Sequence, residues 1–141
     1  MKKVLIASDH AGFQLKEYLK KNNLGVELID LGTQSEESVD YPDYAKKLCS
    51  ALLGGQASRG ILICGSGQGM AIQANRFKDI RAALCWTPEV AKLSREHNDS
   101  NVLCLAGRLV DHQMSLEIAK VWLASEFAGG RHLKRTEKFD L

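Results

Sequence analysis

The stretch Ile61–Met70, "ILICGSGQGM", indicates the fold, because it joins a buried strand to a helix through a glycine-rich loop. The apolar run 61–64 has the length and composition of a strand that is buried on both faces. The three glycines that follow predict a backbone that turns sharply or comes close to another group.

Short apolar runs alternate with longer segments of helical periodicity on both sides of this stretch. The predicted strands are 4–7, 26–30, 61–64, 82–85 and 102–106, and the predicted helices are 13–22, 43–53, 69–77, 88–96 and 111–127. Strands that alternate with helices are typical of a parallel sheet covered on both faces. The pattern therefore predicts an α/β fold, a three-layer α/β/α Rossmann-like sandwich around a five-stranded parallel sheet.

Local signals support individual helices. Thr87 is a predicted N-cap with Pro88 in the first turn, and an apolar stripe on the last helix is predicted to face the core. The stripe residues are Met114, Ile118, Val121 and Trp122. Two polar segments, 31–42 and the tail 128–141, are predicted to be irregular.

Length and composition limit the organisation and the class of protein. With 141 residues, 45% of them hydrophobic, we expect a single domain over 1–141. The formal net charge of +2 does not indicate a nucleic-acid partner. No apolar stretch is long enough for a signal peptide or a membrane span, so we expect a cytoplasmic protein. The four cysteines are widely spaced without a CxxC pair, which predicts reduced thiols.

Cys64 is the candidate reactive group, because ligands of open parallel sheets collect at the carboxyl ends of strands. Gly65, Gly67 and Gly69 allow several N–H groups to converge there on an anion or a developing oxyanion. Such a position suits a thiolate base or nucleophile. The alternative is an inert buried cysteine, which is the reading preferred for the remaining cysteines, at positions 49, 85 and 104.

Spacing argues against three familiar loops. A dinucleotide-binding GxGxxG motif needs one more residue before its last glycine, and the triphosphate-binding GxxxxGK[ST] motif is absent. A cysteine phosphatase would carry an arginine six residues after the thiol, where this chain has Met70.

Polar residues on other strands are predicted to share the edge of Cys64. Ser8, Asp9 and His10 follow the first strand, while Tyr41 and Arg108 can approach from neighbouring loops. The alternative for Asp9 and His10 is a helix cap beside an exposed histidine.

His97 and Asn98 follow a helix that runs back along the sheet, so they are predicted at the opposite, amino edge. The tail with Arg131, His132 and Arg135 starts at the same edge, on the order of 15 Å from the thiol. A two-fold dimer would bring these groups to the thiol of a partner. The alternative is a solvated histidine and a flexible basic tail. Because arginine binds phosphate through two nitrogens at once, a phosphorylated small molecule is the leading ligand.

Several blocks of the sequence, in order, resemble the type B ribose-5-phosphate isomerase family, which also includes galactose-6-phosphate isomerase subunits. The blocks are "SDHAGF", "DYPDYA", "GILICGSGQGM", "REHNDSNVL" and "GGRHLKR". The resemblance covers nearly the whole chain. It implies a five-stranded parallel sheet, no metal or cofactor, and a homodimer with shared sites, in which we expect the tail 128–141 to reach the partner. The sequence leaves open whether two such dimers pair into a tetramer.

The resemblance also implies an activity, the interconversion of ribose 5-phosphate and ribulose 5-phosphate through an enediolate, in the non-oxidative branch of the pentose phosphate pathway. Cys64 would remove the proton from C2 and return it to C1. Ser66 would shuttle or donate a proton to the oxygens of the substrate. Asp9 and His97 would open the sugar ring. Tyr41 and Asn98 would bind hydroxyls; His10, Arg131 and Arg135, with Arg108 as a weaker candidate, would bind phosphate.

Two positions place the chain within that family. Some members lack the thiol and use a glutamate where this chain has Met70, so the chain resembles the cysteine users. Ser66 stands where other cysteine users often have threonine, which keeps the hydroxyl. The alternatives are an isomerase of a phosphorylated hexose, such as allose or galactose 6-phosphate, and a non-catalytic sugar-phosphate sensor.

Overall fold

A computed structural model describes residues 1–140. Its five strands are β1 (Lys3–Ser8), β2 (Glu27–Asp30), β3 (Gly60–Cys64), β4 (Ala82–Leu84) and β5 (Val102–Ala106). Its helices are α1 (Phe13–Lys21), α2 (Tyr41–Leu53), α3 (Gln68–Ala74), α4 (Pro88–Glu96), α5 (His112–Ala124) and α6 (Leu133–Thr136). Two 3-10 turns, His10–Gly12 and Gly130–His132, precede α1 and α6.

The strands form one sheet in the order β2-β1-β3-β5-β4, and every neighbouring pair is parallel. The chain moves outward from β1 to β2 and then returns to place β3 on the other side of β1. Parallel sheets bind ligands where the strand order reverses in this way, outside the carboxyl ends of the strands. The topology therefore directs attention to the β1/β3 edge, where Cys64 ends β3.

Helices cover both faces of the sheet, which confirms the predicted α/β/α sandwich. Side chains of α1, α4 and α5 pack on one face, around Leu15, Ile118 and Trp122. Side chains of α2 and α3 pack on the other, around Leu48 and Met70. Because the central strands β3 and β5 are buried throughout on both faces, their sequences read as continuous apolar runs.

Most predicted boundaries agree with the structure within a few residues, and the predicted Thr87 cap is confirmed, since its side chain accepts a hydrogen bond from the Val90 N–H at 3.1 Å. Tyr41, predicted to lie in the loop, is instead the first residue of α2, because Pro42 fits the first turn of a helix. The last helix ends at Ala124, three residues before its predicted end.

The predicted core stripe of α5 is wrong at its first member. Met114 is exposed, whereas Ser115 of the same turn is buried with Ile118 and Trp122. The apolar face therefore starts one residue later than the periodicity suggested: Ser115 faces the core, while Met114 faces solvent. Within residues 1–140, no helix has the length and apolar character needed to cross a membrane.

Candidate active site

Cys64 is the last residue of β3 and lies at the carboxyl edge, between the ends of β1 and β5. The Gly107 N–H donates to the Cys64 carbonyl at 2.8 Å, and the Asp9 N–H donates to the Ile63 carbonyl at 3.2 Å. These bonds hold three strand ends together around the thiol. Cys64 is 5% exposed, so it is close to the surface but largely protected from water.

The loop after Cys64 presents backbone donors that have no partner in the protein. Within residues 1–140, the N–H groups of Ser66, Gly67, Gly69 and Met70 have no protein acceptor. The Ser66 Oγ accepts the Gln68 N–H at 3.2 Å, which leaves the Ser66 hydroxyl proton free to donate elsewhere. Several free N–H groups in succession stabilise negative charge, as a nest for an anion does.

Two of the loop glycines are required by the geometry. Gly67 has φ of +79°, and a Cβ there would also lie 3.1 Å from the Leu105 carbonyl oxygen. A Cβ on Gly69 would lie 2.5 Å from the Cζ atom of Tyr41 and 2.9 Å from its Oη atom. The Tyr41 ring therefore lies against the glycine loop, which brings its hydroxyl to the carboxyl edge as predicted.

The other cysteines are packing residues, as predicted, since Cys49, Cys85 and Cys104 are completely buried. Burial raises the pKa of the Cys49 thiol to about 12 and that of Cys85 to about 11. Burial also raises the pKa of Cys104. These thiols stay protonated at neutral pH, which leaves Cys64 as the candidate reactive sulfur.

Asp9 and His10 follow β1 at the same edge. One carboxylate oxygen of Asp9 accepts the Gly12 N–H at 3.0 Å, so the capping role considered for Asp9 is present. The Nδ1 atom of His10 accepts the Val39 N–H at 3.1 Å, which ties the loop 31–40 to the strand end. In the neutral ring the proton is then on Nε2, where it is available to a ligand.

Arg108 lies over Gly65: a Cβ on that glycine would be 3.6 Å from the Arg108 Cδ atom. The Arg108 N–H also donates to the Gly65 carbonyl at 3.0 Å. The structure thus gathers one set of the predicted residues at the carboxyl edge. They are Asp9, His10, Tyr41, Cys64, Gly65, Ser66, Gly67, Gly69 and Arg108.

The remaining predicted residues lie at the amino edge, as expected. His97 is the C-cap of α4, and its ring stacks on that of His132 with centroids 4.3 Å apart and planes 15° apart. Partial burial and the positive charges of His97, Arg131 and Arg135 lower the pKa of His132. Four strand steps separate the two edges of β3, about 13 Å. A single chain therefore does not bring His97 to Cys64.

Two buried arginines that the sequence analysis did not single out support the amino edge. Arg95 donates to the Ser100 carbonyl, to the Asp99 carboxylate and to the Ser125 carbonyl, so it joins the turn after His97 to the end of α5. Arg59 donates to the Trp122 and Leu123 carbonyls at the end of α5. Arg59 precedes β3 and Arg95 lies in the last turn of α4, and at neither place does the sequence indicate that an arginine is buried.

A third unpredicted feature stabilises the loop near the carboxyl edge. The Lys16 Nζ atom, whose side chain has no exposed surface, lies 2.7 Å from the Asp30 carboxylate, and the Lys20 Nζ atom lies at the same distance. Asp30 also accepts the Gly32 N–H at 2.8 Å. Burial raises the pKa of Asp30, but the hydrogen bonds from Lys16, Lys20 and Gly32 outweigh it, and the pKa is lowered.

The arrangement defines a class of protein before any comparison. It is a Rossmann-like α/β protein in which a strand-end thiol lies beside a glycine-rich loop, several of whose N–H groups have no acceptor in the described part of the chain. Among residues 1–140, no three histidine, cysteine, aspartate or glutamate side chains are grouped as metal ligands would be. The donor atoms present are those of proton transfer and anion binding.

Comparison with known proteins identifies the family. The profile of the ribose/galactose isomerase family matches residues 4–139. The ribose-5-phosphate isomerase B of Escherichia coli is 46% identical over 139 residues, which cover 97% of this chain and 93% of the relative. The chain belongs to the ribose/galactose isomerase family, and the resemblance inferred from the sequence blocks is confirmed.

Solved structures agree with this assignment. A ribose 5-phosphate isomerase from Thermotoga maritima is 52% identical and superposes with a TM-score of 0.96, covering 99% of this chain and 97% of the other. The type B ribose 5-phosphate isomerase of Trypanosoma brucei is 41% identical with a TM-score of 0.92, again covering 99% and 97%. The similarity extends over the complete sheet and both edges that carry the candidate residues.

Proposed function

We propose that this chain is an aldose–ketose isomerase that interconverts ribose 5-phosphate and ribulose 5-phosphate. The observation that carries the proposal is the Cys64 thiol at the end of β3, next to backbone N–H groups that have no protein acceptor. Removing a proton from the carbon beside a carbonyl creates an oxyanion, and a base is effective only where that oxyanion is stabilised. The glycine loop supplies this stabilisation beside the base.

Cys64 takes the proton from C2 of the open-chain aldose as a thiolate. The electrons of the broken C–H bond form the C1–C2 double bond of the enediolate, and the negative charge moves to O1, where the loop N–H groups bind it. The thiol then returns the proton to C1 while O2 loses its proton and becomes the ketone oxygen. Ser66, whose hydroxyl proton is free, passes the proton lost by O2 to O1, which becomes the C1 hydroxyl of the ketose.

The other carboxyl-edge residues bind and prepare the substrate in this proposal. Asp9 assists the opening of the sugar ring with the carboxylate oxygen that does not cap the 3-10 turn. Tyr41 binds a sugar hydroxyl, because its own hydroxyl lies against the glycine loop. His10 binds the phosphate through its Nε2 proton, and Arg108 adds a positive charge at the same edge.

The amino-edge residues act on the substrate of a second copy. We propose a homodimer in which His97 of one subunit assists ring opening at the Cys64 site of its partner. Asn98 binds a sugar hydroxyl there, and Arg131 and Arg135 in the tail bind the phosphate. Within residues 1–140, neither of these two arginines forms an ion pair in its own chain, which suits a role in phosphate binding.

An exposed apolar stripe supports this assembly. Val90 and Leu93 lie on the solvent side of α4, at the spacing that continues to His97, and exposed Trp86 precedes the helix. The stripe runs between the two edges of the sheet. A two-fold axis across it would cover the apolar side chains and place the amino edge of each subunit beside the carboxyl edge of the other.

Replacement of Cys64 tests the assigned base. Cys64→Ala should lower turnover of ribose 5-phosphate by about 10²- to 10⁴-fold, the usual contribution of a general base. Cys49→Ala is the matched control, because it removes another buried thiol that lies in the middle of α2, and it should retain most of the activity. Turnover by Cys64→Ala at the level of the control would refute the assignment.

A substrate panel tests which sugar phosphate the enzyme prefers. Ribose 5-phosphate, allose 6-phosphate and galactose 6-phosphate are assayed side by side at equal concentrations. We expect the highest kcat/KM for ribose 5-phosphate. Higher kcat/KM for a hexose phosphate would contradict the pentose assignment and leave the base assignment intact. Binding of ribose 5-phosphate without turnover by the unmodified protein would contradict both and favour a sensor.

Subunit mixing tests the shared site. Cys64→Ala and His97→Ala subunits should each be inactive alone, but in their heterodimer one site combines an intact Cys64 with an intact His97. Random exchange makes half of the dimers mixed, so about a quarter of the wild-type activity should return. Absence of recovery after exchange has been demonstrated by mass spectrometry would refute the sharing.

A further inference from the structure

We propose that His132 is a positioning residue for His97. This inference rests on the proposed function, because it concerns how His97 is oriented for ring opening. The observation behind it is the stack of the two imidazoles, with centroids 4.3 Å apart and planes 15° apart. Stacked aromatic rings attract each other beyond the area that they bury, and the contact restricts rotation of both side chains.

Among the aromatic contacts and hydrogen bonds of residues 1–140, the stack is the one interaction made by the His97 ring. The His97 N–H donates to the Leu93 carbonyl at 2.8 Å as the end of α4, but no protein group in the described chain hydrogen-bonds to the ring nitrogens of either histidine. The face of the His97 ring is therefore held while its edge stays free. Free ring nitrogens are what a proton donor or acceptor needs.

The backbone after α5 turns so that the His132 ring lies against the His97 ring. The Ala128 N–H donates to the Glu96 carbonyl at 3.0 Å, which attaches the tail to the last turn of α4. Gly129 and Gly130 then adopt φ of +66° and +57°. A Cβ would meet nothing within 4 Å at either glycine, so these residues are needed for the backbone turn and not for space.

Two replacements separate a positioning role from the alternatives. His132→Phe keeps a flat ring that can stack but cannot bind phosphate, whereas His132→Ala removes the ring. If His132 positions His97, His132→Phe should keep kcat within about threefold of wild type, while His132→Ala should lose about ten- to hundredfold in kcat with little change in KM, the effect expected of a misplaced catalytic group.

Other outcomes would overturn the proposal. An equal rise in KM for both variants would make His132 a phosphate ligand, and wild-type kinetics for His132→Ala would make the stack incidental. The stack itself is measured without activity by NMR, because the neighbouring ring shifts the His97 ring protons upfield. That shift should persist in His132→Phe and disappear in His132→Ala; its absence from the wild type would refute the stack.

The failure of the proposed function would look different. It would appear as a wild-type protein that shows the upfield His97 protons but does not turn over ribose 5-phosphate. That result would overturn the positioning role together with the isomerase assignment. If the wild-type protein turns over ribose 5-phosphate and the two His132 variants are equally active, the positioning role alone would be overturned.

Discussion

Asp30→Asn should destabilise the protein strongly although it removes only one charge near the surface. The charge partner that remains, Lys16, has no exposed side-chain surface, and its Nζ atom lies 2.7 Å from the Asp30 carboxylate. Loss of one partner of a buried ion pair costs about 3–5 kcal/mol, because the other charge remains buried. The carboxylate of Glu17, 3.4 Å from the same Nζ atom, compensates in part, so we expect about 3 kcal/mol.

The pH dependence has a definite sign. Because the hydrogen bonds from Lys16, Lys20 and Gly32 lower the pKa of Asp30 despite its burial, its stabilising contribution is complete above the unfolded-state value of about 3.9. The contribution is lost as the pH falls through the lowered pKa of the folded state. The free energy of unfolding should therefore differ most between wild type and Asp30→Asn near pH 7, and the difference should shrink below about pH 4.

Urea denaturation followed by circular dichroism measures this difference. Lys16→Met is the matched variant: it removes the buried charge and leaves Asp30 bonded to Lys20 and Gly32, so it should cost less than about 1 kcal/mol. The double variant Lys16→Met/Asp30→Asn should recover most of the loss, because it leaves no buried charge unpaired. An Asp30→Asn protein as stable as wild type at pH 7, or a double variant less stable than Asp30→Asn, would refute the reasoning.

Two further substitutions test local geometry. Gly69→Ala places a methyl group against the Tyr41 ring. Turnover should fall at least about tenfold because the ring is displaced, while the free energy of unfolding should change little because the half-exposed ring can move away. A wild-type kcat would contradict this contact. Trp122→Phe removes the N–H that donates to the buried Ser100 Oγ at 2.8 Å and should cost about 1–3 kcal/mol in urea denaturation. Because the Ser100 Oγ is also hydrogen-bonded to the Ser94 Oγ at 2.8 Å, Ser100→Ala carries a cost of its own. That cost should be smaller in the Trp122→Phe background than in the wild type, and full additivity of the two losses would contradict the hydrogen bond.

The sequence was sufficient to predict the central strands because their composition reflects their burial. The run 61–64 and the run 102–106 are apolar at every position, and only strands covered on both faces can use such a pattern. Thr87 with Pro88 likewise marks a helix start through local chemistry alone. These signals lie within a few residues of each other and need no knowledge of the rest of the fold.

Features that depend on distant packing were predicted poorly. Met114 fits the periodicity of a buried stripe, yet it is exposed. The tail from residue 128 is polar and rich in glycine, which is typical of irregular chain, but it forms the 3-10 turn Gly130–His132 and α6 because Ala128 is bonded to the end of α4. Its order comes from the contact with α4, which no local pattern records.

The same distinction applies to the candidate site. Strand order and parallel direction alone place the carboxyl-edge residues together. The carboxyl-edge half of the candidate site could therefore be predicted from the sequence. The orientation of the amino-edge half depends on Arg95, which joins the turn after His97 to the end of α5, and on His132, which stacks on His97. The burial of an arginine and the stacking of two imidazoles depend on residues that are distant in the sequence, so no local pattern predicts them. In the proposed dimer this support belongs to the subunit that supplies His97, so Arg95→Ala should impair the partner's site and spare the Cys64 loop of its own chain.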